Sequence, residues 1–165
     1  MSDEGKPPPY DIGRADAIYL AAMLKGETSL PRRTNAELVN LLRQTLLLSK
    51  SIGENCREWL ELCAIIHGDV HPYQAEKLNI PTVEGALAAA IVIPRVSCEG
   101  VCRTCAFRVG SPANQTENTA EDIMGCLDDG EPFYCHDVEN PAQSKKPCRG
   151  FIAAKKLQAK QEVAA

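Results

Sequence analysis

The sequence predicts a mainly α protein, in which a helical N-terminal half packs on a loop-rich, metal-stabilised cysteine module. Three observations predict it. Apolar residues recur at helical spacing as far as Ile93. From Arg95 onward glycine, proline, asparagine and cysteine dominate. Six of the eight cysteines fall between Cys98 and Cys148. The expected divisions are a disordered tail over 1–10, a helical region over 11–94, the cysteine module over 95–151, and a C-terminal helix or tail over 152–165.

Asp11 to Lys25 reads as a short helix carrying Ile18, Leu20, Ala21 and Leu24, with Gly26 as its stop. Thr34-Asn-Ala-Glu37 is a capping box in front of an apolar run. Leu38, Leu41, Leu42, Leu46 and Leu48 then form a broad stripe expected to be buried. Gly53 is expected to end or interrupt that helix. Cys56, Trp59, Leu60, Cys63 and Ile66 share one face of the next helical stretch, Glu54 to His67, so Cys56 and Cys63 read as core packing. Thr82 caps a further helix through Leu87 to Ile93, ended by Pro94; Ile91-Val-Ile93 leaves a buried strand as the alternative. Within the module, Thr119 to Leu127 reads as a short amphipathic helix capped at Thr119. Phe151 to Val163 closes the chain as an alanine- and lysine-rich helix.

A chain of 165 residues suits one domain, or a small domain with an attached module. A net charge of −4 disfavours coating nucleic acid or an anionic membrane. One Trp, four Tyr and three Phe are too few for a base-stacking platform. No stretch approaches the roughly 20 apolar residues of a membrane span. The acidic, proline-rich start lacks the basic and apolar regions of a signal peptide, so a cytoplasmic location is expected. In that compartment clustered cysteines read as metal ligands in preference to disulfides. Asn114-Gln-Thr116 matches a glycosylation acceptor, which has no meaning there.

A loop-rich stretch of this length buries too little apolar surface to hold itself together. The 51 residues from Cys98 to Cys148 hold six cysteines, about 12%, above the roughly 8–10% that marks a covalently or metal-held scaffold. Cys98, Cys102 and Cys105 lie close enough to converge on one centre. Cys135 and Cys148 are the distant candidates that would close the loop. Three near cysteines plus a remote one beside Pro147 favour a [4Fe–4S] cluster. Zinc is the alternative, weakened by the lack of a second C-x2-C pair beside Cys102 and Cys105. Five thiols for a four-ligand site favour complete protein ligation. Whether Cys126 or His136 takes part stays open; the first reads as packing and the second as a surface or hydrogen-bonded residue. The Cys98-x3-Cys102-x2-Cys105 spacing is shared with radical S-adenosylmethionine enzymes. Those need a large α/β barrel, for which this chain is too short.

The cysteine group, followed by Phe133-Tyr-Cys135 and Pro147-Cys148-Arg149-Gly-Phe151, resembles small bacterial cysteine-cluster proteins described as zinc- or iron-chelating. The run from Cys105 to Asn114 is similar to small uncharacterised proteins, many of them phage-encoded. The resemblance implies metal binding and no catalytic activity. This chain lacks that family's adjacent pair of cysteines.

His67-Gly-Asp-Val-His71 has the spacing of a helical zinc pair, but Gly68 and Pro72 should break the helix. Asp128-Asp129-Gly-Glu131 reads as a solvated turn. Arg103, Arg108, Lys145, Lys146 and Arg149 surround the cysteines and can offset thiolate charge. Lys155, Lys156 and Lys160 read as a solvated helix face. The expectation is a non-catalytic metal protein with a structural or redox-sensing centre. A protein partner is expected, nucleic acid is not favoured and no membrane is involved.

Overall fold

The computed structural model describes residues 7–67, 79–96, 104–134 and 146–164. They form five α-helices: α1 (Arg14–Leu24), α2 (Asn35–His67), α3 (Val83–Val92), α4 (Glu117–Asp129) and α5 (Arg149–Ala164). One 3-10 turn, Ala113–Gln115, precedes α4. Among the described residues the only β pairing is an isolated antiparallel bridge between Tyr134 and Pro147.

The helix starts follow local chemistry. At the head of α2 the Thr34 N–H donates to the Glu37 carboxylate while the Glu37 N–H donates to Thr34 Oγ1, the reciprocal capping box expected. Thr82 Oγ1 accepts from the Gly85 N–H at 2.9 Å and starts α3 as a helix; the strand alternative does not form. The cap expected at Thr119 is corrected. The helix begins two residues earlier, after Thr116, and Thr116 Oγ1 donates to Thr119 Oγ1. At its far end α4 stops at Gly130, in the left-handed region at φ 78°.

α2 runs 33 residues without a break at Gly53. Gly53 is exposed, and a helix interior tolerates glycine for about 1 kcal/mol when the flanking turns hold. The leucine stripe is corrected too. Leu41 and Leu48, seven residues apart, are buried on one face, but Leu38, Leu42 and Leu46 are exposed on another.

α3 holds the molecule together because, past the exposed Glu84 in its first turn, it is apolar on every face. Val83, Ala86, Leu87, Ala90 and Ile91 face one core, with Tyr10, Ile12, Ala17 and Leu48. Ala88, Ala89, Val92 and Ile93 face a second core, with Cys105, Phe107, Ile123, Phe133, Cys148 and Phe151. The module therefore buries more apolar surface than its composition suggests. Phe107 meets Phe133 and Phe151 edge-on at centroid distances of 6.0 and 6.3 Å. Tyr10, at the end of the expected tail, is buried.

A polar knot ties the halves together. The Gln115 side chain is 0% exposed. Its Nε2 donates to Ser51 Oγ at 2.9 Å, and its Oε1 accepts from Asn55 Nδ2 at 2.7 Å. Asn55 also donates to the Gly110 carbonyl, and Gln115 Nε2 reaches the Tyr10 hydroxyl at 3.4 Å. The Gln115 carbonyl accepts the Thr82 N–H at 2.8 Å. Gly85 permits this approach, because any Cβ there would run into the Gln115 backbone. Among the described residues every buried side-chain nitrogen and oxygen has a partner.

Replacing Gln115 with leucine leaves the Ser51 and Asn55 groups buried without their partner. Urea unfolding should show a loss of about 2–4 kcal/mol. A loss below about 1 kcal/mol would mean that the knot does not hold the halves together.

Candidate metal centre

Two of the five candidate ligands lie within the described residues, and the fold brings them together. Cys105 and Cys148 are 43 positions apart in sequence, yet their sulfurs lie 3.6 Å apart, each residue 4% exposed. Cys98, Cys102 and Cys135 lie outside the described residues. In sequence, Cys102 stands three positions before Cys105, and Cys135 follows the bridged Tyr134. Among the described residues no three of histidine, cysteine, aspartate and glutamate form a metal site.

Cys148 is placed by a strand-like contact and a helix start. Its N–H donates to the Phe133 carbonyl at 2.8 Å, beside the Tyr134–Pro147 bridge. Its own carbonyl accepts the Ile152 N–H at 3.0 Å and opens α5, so Cys148 takes the N-cap position. The thiol accepts from the N–H groups of Phe151 and Gly150. Gly150 has a packing reason as well. A Cβ at that position would run into the Phe107 ring, which lies over the first turn of α5.

Cys105 is placed by a series of turns. Its carbonyl accepts the Arg108 N–H at 2.9 Å and the Ser111 hydroxyl at 2.8 Å. Asn114 Nδ2 donates to the Ala106 carbonyl at 2.8 Å, and the Asn114 N–H donates to Ser111 Oγ. The Asn114-Gln-Thr116 triplet is thus an internal brace, with all three residues buried.

This setting favours charge on Cys148. A hydrogen bond from Cys105 is the largest influence on its thiol. Burial opposes it, and the N–H groups of Phe151 and Gly150 assist. Together they bring the Cys148 thiol from an ordinary 9.0 down to about 6. A thiolate is the form that binds metal.

The remaining candidates part company. Cys126 is half-buried against the second core, and burial followed by the neighbouring Asp122 raises its thiol above the ordinary value. Cys56 donates to the Pro81 carbonyl at 3.2 Å, and burial raises its thiol too. Both fit packing. The Cys63 side chain, His71, His136, Arg103 and Lys145 lie outside the described residues, as does the side chain of His67, the last residue of α2. Asp128, Asp129 and Glu131 are exposed, as a solvated turn requires. Lys146 and Arg149 are exposed on either side of Cys148. Lys155 departs from the expected solvated face: its Nζ donates to the Leu127 carbonyl at 2.8 Å near the end of α4 and lies 5.9 Å from the Phe151 ring centroid.

The sulfur separation limits the chemistry. A disulfide needs about 2.05 Å, and at 3.6 Å these two sulfurs are not joined by one. Two thiolates on one tetrahedral zinc ion, each at about 2.3 Å from the metal, are about 3.8 Å apart. In a [4Fe–4S] cluster each cysteine binds a different iron, which spreads the sulfurs wider. No family model, curated protein or solved structure matches the chain.

The low Cys148 value sets a pH dependence in the metal-free protein. The folded thiol ionises more readily than the unfolded one, so its stabilisation is complete above about pH 9 and is lost as pH falls through 6. Thiolate absorbance should show a one-thiolate step near pH 6, absent from Cys148→Ala and moved to higher pH in Cys105→Ala. An unchanged titration in Cys148→Ala would contradict the assignment.

Proposed function

We propose that this chain is a non-catalytic metal-binding protein whose cysteine-ligated centre closes the loop-rich module on itself. The observation that carries this is the 3.6 Å approach of two buried sulfurs from opposite ends of the module, one at a helix N-terminus. Cys105 and Cys148 supply two ligands. Cys98, Cys102 and Cys135 are the candidates for the other two. The sulfur separation favours a single tetrahedral ion, and thiolate ligands make zinc the best match.

A [4Fe–4S] cluster in a redox-sensing role is the second reading. It is favoured by the spacing of Cys98, Cys102 and Cys105 and by Pro147 before Cys148. In both cases ligation contributes folding energy, on the order of 10 kcal/mol for structural zinc. The apolar walls around Cys105 and Cys148 keep water from the two sulfurs, which suits a structural centre better than one open to substrate.

Protein purified without oxygen should be colourless and hold about one zinc per chain. Cys105→Ser and Cys148→Ser should each lose the metal to a competing chelator that the parent resists. Broad absorbance near about 400 nm, with iron and sulfide in a ratio of about four to four, would establish the cluster instead. Protein free of both metals would overturn the proposal.

A further inference from the structure

α2 is apolar on two opposite faces. Leu48 and Ser51 are buried against the body of the molecule. Turning by about 100° per residue, Val39, Leu42, Leu46, Gly53 and Leu60 share a stripe on the far side. Val39 is 68% exposed, Leu42 61% and Leu46 63%, and Leu60 is exposed as well. A helix apolar on both sides is normally covered on both.

The charges beside the stripe point to what covers it. Arg43, Lys50, Glu54 and Glu61 lie on one flank of it, the two bases before the two acids, while the exposed Arg57 on the stripe's edge is a base in the second half. Position 43 mirrors 61 about Ile52, and 50 mirrors 54. We propose that the stripe is the contact between two copies of this chain, paired antiparallel about a two-fold axis near Ile52. Arg43 then faces the partner's Glu61, and Lys50 faces the partner's Glu54.

The apolar residues fit the same register. The partner's Leu60 falls between Leu42 and Leu46. Gly53 lies beside the axis, and the space where its Cβ would stand is open, so the two helices can approach there. A parallel pairing would set Arg43 beside the partner's Arg43, which is unfavourable. Within one chain Lys50 and Glu54 are 3.8 Å apart and largely exposed, a weak pair that can exchange partners. From Val39 to Leu60 the contact runs about 32 Å, about three heptads.

The test is sedimentation equilibrium of the full chain, as purified, from micromolar to submillimolar concentration. The expected mass is twice 17.9 kDa. Leu42→Glu with Leu46→Glu should give a monomer of unchanged helix content by circular dichroism. Arg43→Glu should weaken association by about tenfold, and Arg43→Glu with Glu61→Arg should recover most of that loss. A monomeric parent at all concentrations overturns the proposal, whatever else covers the stripe. A dimer that survives the leucine changes overturns the surface. Failure of the double charge exchange to recover association overturns the antiparallel register.

Discussion

The contact between Cys105 and Cys148 joins two stretches of chain 43 positions apart, and Phe107, Phe133 and Phe151 pack beside it. The described residues beside the sulfurs fit that contact. α5 must start at Cys148, whose N–H already bonds to Phe133. Phe107, two residues after Cys105, is then carried over the first turn of α5, and glycine at 150 leaves room for its ring. Phe133 and Phe151 close around it, so the thiols lie in a dry pocket. The acidic Cys148 thiol in such a place needs either a shared proton or a cation. The hydrogen bond between the two sulfurs meets that need in this structure, and the proposed metal ion would meet it more fully.

The second constraint is Gln115. Three of its polar atoms reach Tyr10, α2 and the entry to α3, so the helical half and the module cannot separate without stranding buried amides. The two devices are complementary. The cysteines close the module on itself, and the glutamine docks it. α3, apolar past Glu84, packs against both cores.

Much of this was legible in the sequence. The capping box at Thr34, the cap at Thr82 and the alanine-rich α3 are local signals with local causes, and they form as expected. Cys105 and Cys148 were both legible as candidates from cysteine density alone. What was not legible depends on long-range contacts. The leucines of α2 have helical spacing but do not say which face meets the core, since 41 and 48 lie across the helix from 42 and 46. Gly53 reads as a break, yet packing along α2 carries the helix through it. Asn114-Gln-Thr116 resembles a modification signal and is a buried brace. The one clue to Gln115 is a polar residue in a turn-forming run, and nothing local distinguishes that from a solvated loop. Nothing local to Gly150, next but one after Cys148, shows that the Phe107 side chain lies against it.

The most direct measurement of the central claim is X-ray absorption at the edge of the bound metal in protein as purified. A single tetrahedral ion held by Cys105, Cys148 and two further cysteines predicts a shell of four sulfurs at about 2.3 Å, with no metal beyond it. A shell of nitrogen or oxygen alone would contradict cysteine ligation. A second metal at short range would contradict the single ion and put the cluster in its place.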